Sequence, residues 1–90
     1  MFRYKRGIRV PYLRQGYIYF TSRLYEELPE RDRARIDALC RRHGGRNWMA
    51  LRDYVTTDVS ATEIEMRYFI SRSTLYRIVR RYYEGFPRKL

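Results

Sequence analysis

Arg72, Ser73, Tyr76, Arg77, Arg80 and Arg81 recur at intervals that gather them on one side of a helix. The other side takes the apolar positions Leu75, Ile78, Val79 and Tyr82, spaced at i, i+3, i+4 and i+7. Arginine forks onto phosphate and onto the O6/N7 edge of guanine, so this face has the chemistry to hold and read a nucleic acid. In a helix-turn-helix the N-terminal half of the second helix enters the major groove. Arg72, Ser73, Tyr76 and Arg77 are therefore the candidate base readers. Arg80 and Arg81 lie further along, at phosphate height, with Arg88 and Lys89 beyond them. Ser71 and Thr74 at the helix start are placed to meet phosphate as well.

The elements that must position this face can be read from local signals. Ser60 and Glu63 form an S-x-x-E capping box that starts a helix running to about Tyr68, with Ile64 and Tyr68 one turn apart and facing inward. Ile70 plugs the turn, and Ser71 caps the helix from about 71 to 84, which Gly85 and Pro87 end. The pair reads as a helix-turn-helix at about 60–84. Glu65 stands where the close crossing of the two helices favours alanine. Phe69 stands where the turn favours glycine, because positive φ is costly for a bulky residue.

Upstream, Pro29 opens a helix with Glu30 and Asp32 in its first turn and Arg41, Arg42 and His43 in its last. That order complements the helix dipole, and Gly44-Gly45 stops it. Its apolar stripe is Ile36, Leu39 and Cys40. Asn47 is a candidate cap for a helix from Trp48 to about Thr57, with Trp48, Leu51 and Val55 on one face. Before these, Tyr17-Ile18-Tyr19-Phe20-Thr21 follows Gly16 and is rich in aromatic and β-branched residues, which reads as one short β-strand. A lone strand leaves its backbone groups unpaired. Tyr17, Ile18, Tyr19 and Phe20 are thus expected to pair with their copies in a homodimer, or with residues 8–13 in a hairpin that Pro11 makes poorer. Residues 1–15 read as a basic N-terminal arm. The expected fold is mainly α: one short strand and a four-helix domain over residues 16–90.

Charge supports a polyanionic partner. The chain has 90 residues and a net charge of +10. Residues 1–23 carry +6, residues 24–71 carry −1 and residues 72–90 carry +5. Two basic ends on a near-neutral scaffold are the footprint of a polyanion binder, and all but two of the basic residues are arginine. Double-stranded DNA is the leading partner.

Other chemistries lack residues. One histidine and one cysteine cannot build a four-ligand zinc site, and His43 does not assemble with serine and aspartate into a triad. Asp53, Asp58, Glu63 and Glu65 are explained by capping and solvated faces rather than by a metal-dependent nuclease. No Gly-rich phosphate loop is present, so neither enzyme, cofactor, metal nor small-molecule substrate is expected. No apolar run approaches the ~20 residues of a membrane span. Cys40 stands alone, which fits a reducing compartment, the cytoplasm. Two alternatives remain: an RNA-binding module, and a small factor whose basic ends dock an acidic surface of polymerase or another enzyme.

The motifs also run in a familiar order. Gly16-Tyr17-Ile18-Tyr19, Arg31-Asp32-Arg33, Gly44-Gly45-Arg46-Asn47 and the segment Glu63 to Arg81 resemble the Mor/C family of phage middle- and late-gene transcription activators over roughly residues 16–88. Compared with that pattern, residues 48–59 are an insertion, and most of the N-terminal dimerisation region has no counterpart. The resemblance implies a DNA-binding dimer with strands paired across a two-fold axis, and a transcription regulator for which RNA polymerase is a further candidate partner.

Overall fold

The stripe Leu75, Ile78, Val79 and Tyr82 is buried, and the rest of the chain is wrapped around it. The computed structural model describes residues 4–90; Arg3 of the basic arm lies outside the described residues. Among the described residues five α-helices follow one another: α1 Tyr12–Arg23, α2 Glu30–Gly44, α3 Trp48–Thr56, α4 Ala61–Tyr68 and α5 Arg72–Gly85. Short 3-10 turns at Tyr25–Glu27 and Gly45–Asn47 join the first three. Helix α5 packs against α2, α3 and α4, and α3 against α1 and α2.

Four of the helices follow from their local signals. Helix α2 begins after Pro29 and buries Ile36 and Cys40; Gly45, at φ 56°, turns the chain away at its end. A Cβ on Gly44 would stand 3.3 Å from both Leu51 and Trp48, so the absence of a side chain lets α2 and α3 meet closely. Leu51 and Val55 are buried on α3. Asn47, expected to cap α3, makes no side-chain cap bond. The 3-10 turn runs straight into the helix with Asn47 already inside it.

The expected β-strand is absent: Tyr17, Ile18, Tyr19, Phe20 and Thr21 lie inside α1, and no strand occurs among the described residues. The reason lies in which residues face inward. Gln15, Ile18 and Ser22 are buried at spacings of three and four, the period of a helix. Two of the three are polar, so hydrophobic periodicity carries no trace of this face. Both polar groups are nonetheless satisfied. Ser22 Oγ donates to the Ile18 carbonyl at 2.7 Å and lies 2.7 Å from the Tyr82 hydroxyl. The Gln15 amide accepts from Lys5 N at 2.8 Å and donates to the Lys5 and Val10 carbonyls at 3.2 and 3.0 Å. Strand propensity of the order of 1 kcal/mol or less gives way to this packing.

The described part of the expected arm packs onto the helices. Residues 4–11 run without a helix, Ile8 and Val10 enter the core, and residues 12–15 are the first turn of α1. Gln15 is the clasp. Gln15→Ala strands the backbone groups of Lys5 and Val10 and should lower stability by about 2 kcal/mol in urea unfolding, with loss of exchange protection at the Lys5 amide.

Candidate nucleic-acid interface

The C-terminal pair of helices is built as its caps predict. Ser60 Oγ accepts from the Glu63 amide at 3.2 Å to start α4. The other half of the box is diverted, because the Glu63 carboxylate takes Arg67 at 2.9 Å instead. Phe69 ends α4 in the left-handed region, φ 54° and ψ 45°, with its ring 95% exposed. Ile70 turns into the core, and Ser71 Oγ accepts from the Thr74 amide at 3.2 Å to start α5. Glu65, at the crossing of α4 and α5, swings its carboxylate outward to the Nε of Arg72, which accommodates a residue much larger than alanine.

All six polar residues opposite the buried stripe of α5 are exposed: Arg72, Ser73, Tyr76, Arg77, Arg80 and Arg81. Their freedom differs. Arg72 is drawn back over α4, bonded to Glu65 and, through Nη2, to Thr62 Oγ1 at 2.6 Å. Glu65 also raises its pKa above the usual arginine value. Arg80 pairs with Glu84 at 3.1 Å. The same carboxylate accepts from the Arg9 amide at 3.0 Å, and this backbone bond is the first cause holding Glu84 below the ordinary carboxylate range. Arg77 and Arg81 make no hydrogen bond or ion pair among the described residues, so their guanidinium groups are unengaged.

The remaining candidates are divided. Ser71 and Thr74 are next to the exposed face, but their hydroxyls bond each other at 2.9 Å and serve the cap. Arg88 and Lys89 are exposed at the other end of α5, about 20 Å away along the helix axis. There Arg14 Nη1 donates to the Arg88 carbonyl at 3.0 Å and Nη2 to that of Pro87, pinning the tail to α1. The structure therefore does not bring Arg88 and Lys89 together with Arg72 and Ser73.

Sequence reasoning missed a wall of this face. Lys5, Arg6, Gly7 and Ile8 run alongside α5 and, with Tyr54, enclose a cleft of about 460 Å³ against Ser73, Tyr76, Arg77, Val79 and Arg80. The charge of Lys5 and Arg6 was visible in the sequence, but their placement depends on the buried amide of Gln15, which carries no pattern.

Elsewhere the titratable groups serve the scaffold. Asp53 accepts from the Tyr68 hydroxyl and from Arg67 at 3.3 Å, joining α3 to α4, and that bond raises the Tyr68 pKa. Asp58 pairs with Arg23. No three His, Cys, Asp or Glu residues gather in a metal-holding group among the described residues. Cys40 is fully buried, and burial pushes its thiol up to about 12. Burial, then the Arg42 and Arg81 charges, lower the pKa of His43. No helix among the described residues is long and apolar enough to cross a membrane.

No family model matches the chain, and neither a curated protein nor a solved structure matches it.

The turn makes a stability prediction. A non-glycine residue in the left-handed region costs about 1–2 kcal/mol, and an exposed Phe69 ring returns little packing. Phe69→Gly should raise the urea midpoint by an amount equivalent to about 1 kcal/mol, whereas Ser71→Ala should lower it by about 1 kcal/mol. A destabilised Phe69→Gly would contradict this account of the turn.

Proposed function

We propose that the chain is a sequence-specific double-stranded DNA-binding regulator of phage or mobile-element type that presents α5 to the major groove. One observation carries the reading: an exposed arginine face lies directly behind a buried stripe, on a capped helix that follows a tight turn. The motifs from Arg31 to Arg81 that resemble the Mor/C activators support the same reading, although the Gly16-Tyr17-Ile18-Tyr19 segment of that pattern is helical here. RNA polymerase is the further partner that such a regulator engages, and the role belongs in the cytoplasm with the DNA.

Within this proposal the residues divide by their freedom. Ser73, Tyr76 and Arg77 are the primary base readers. Arg72 joins them only by exchanging Glu65 for a base edge, so its net contribution is smaller. Arg80 and Arg81 hold phosphate. Selection from random duplexes should yield an enriched motif. Arg77→Ala should cost about 1–3 kcal/mol on it and relax one position, while Arg72→Ala costs less. Arg81→Ala should weaken all duplexes alike and reduce the salt slope by about one unit. Failure to enrich any duplex, with tight binding to single-stranded RNA or to an acidic protein instead, would overturn the proposal.

A homodimer is part of the same proposal, because it would match two recognition helices to a two-fold site. It has no strand at 17–21 to pair through. Leu13 and Leu24, 82% and 47% exposed at the two ends of α1, offer it an apolar surface. Sedimentation at micromolar concentration should give a dimer mass; a monomer that binds a palindromic site without cooperativity would remove this part.

A further inference from the structure

A recognition helix is usually an open ridge, but here one flank of α5 is walled by the N-terminal segment. That wall is fixed. Gln15 holds both backbone groups of Lys5 together with the Val10 carbonyl. Glu84 holds the Arg9 amide at 3.0 Å, and Ile8 and Val10 are buried between these clasps. Gly7, at φ 80°, makes the bend that carries Lys5 and Arg6 along the helix.

The cleft between the two walls has one sign of charge. Lys5 and Arg6 line it from the segment, Arg77 and Arg80 from α5, and no aspartate or glutamate lines it. Lys5 Nζ makes no ion pair among the described residues; it lies 5.8 and 5.7 Å from the ring centroids of Tyr54 and Tyr83. Arg80 keeps Glu84 at 3.1 Å, but Arg6 and Arg77 have no ion pair among the described residues, and a bound anion relieves the repulsion that remains among these cations. The lining also holds no side-chain carboxylate or amide, the groups that read a ribose or a base edge, so it is equipped to neutralise rather than to discriminate.

We propose that this cleft seats a backbone phosphate of duplex DNA, gripped between Lys5 and Arg6 on one side and Arg80 on the other, with Arg77 at its rim left for the base edge. The N-terminal segment thereby becomes a built part of the DNA interface. The inference rests on the α5 reading and adds to it. The adjoining Tyr76 ring, half exposed, has the position to cover the sugar attached to that phosphate. A free nucleotide carries the same phosphate chemistry. The duplex is favoured because Ser73, Tyr76, Arg77 and Arg80 belong to both the cleft and the exposed face of α5, so a duplex on that face must cross the cleft.

The test is duplex affinity as a function of KCl for wild type, Lys5→Gln, Arg6→Ala and the control Arg31→Ala, an exposed charge on α2. Lys5→Gln and Arg6→Ala should each reduce the salt slope by about one unit and weaken preferred and random duplexes alike, by about fivefold near physiological salt. Arg31→Ala should leave the slope unchanged. Thermal unfolding and amide spectra like those of the wild type establish that the segment stays docked in each variant. A wild-type slope for both variants, with Arg77→Ala still impaired, would overturn the phosphate seat and leave the α5 reading standing. If Arg77→Ala is also unaffected, the α5 reading itself has failed. Adenosine monophosphate that shifts the Gly7 and Tyr76 amides without competing with the duplex would assign the cleft to a free nucleotide and overturn the inference.

Discussion

Tyr82 sits fully buried in the last turn of α5, and its hydroxyl must find a partner there or cost the core a few kcal/mol. It finds Ser22, sixty residues earlier in the chain, at 2.7 Å. Burial is the first reason that the phenol ionises only well above its ordinary value, so the hydroxyl stays a neutral hydrogen-bonding group. Much else follows from this one contact. Ser22 reaches Tyr82 while also bonding the Ile18 carbonyl one turn back, so the segment must be helical at that point. Two turns before Ser22 stands Gln15, whose amide then closes on the backbone of the N-terminal segment. The segment, so held, forms the wall beside the exposed arginines of α5.

The charge distribution works in the same direction. Three carboxylates tie parts of the scaffold together: Asp37 accepts from the Tyr25 hydroxyl at 2.8 Å, Asp53 joins α3 to α4, and Asp58 holds Arg23. Two scaffold arginines, Arg41 and Arg52, flank the Trp48 ring at 4.5 and 5.2 Å. On and beside α5, Lys5, Arg77 and Arg81 make no ion pair among the described residues, while Arg72 and Arg80 are paired with Glu65 and Glu84. The net charge of +10 is carried largely by the two ends of the chain, and the described part of the N-terminal end lies against α5 of the C-terminal end.

Helices α2 to α5 were legible because their signals are local or periodic. Caps at Ser60 and Ser71, the stop at Gly45 and the stripe from Leu75 to Tyr82 each depend on residues within a few positions. The positive φ of Phe69 was likewise foreshadowed by the turn's demand. Helix α1 was not legible, since its buried face is Gln15, Ile18 and Ser22 while aromatic residues lie outward. A pattern of apolar burial cannot reveal a face whose inner residues are polar and whose partners lie far along the chain. The same long-range contacts hid the wall of Lys5 and Arg6, the backward pairing of Arg72 with Glu65 and the pinning of the Arg88 tail by Arg14. Asn47 failed for a smaller reason: a cap needs non-helical backbone, and the 3-10 turn had already begun.

Helix α5 in the major groove is the claim on which the proposed function stands, and guanine N7 is the atom that reports it. Protection of N7 from methylation on a selected duplex tests it most directly, because only a group inside the major groove shields that position. The account predicts protected guanines in the presence of the wild-type chain and recovery of at least one of them with Arg77→Ala at a saturating concentration. Full methylation at every guanine while the chain is bound would contradict it.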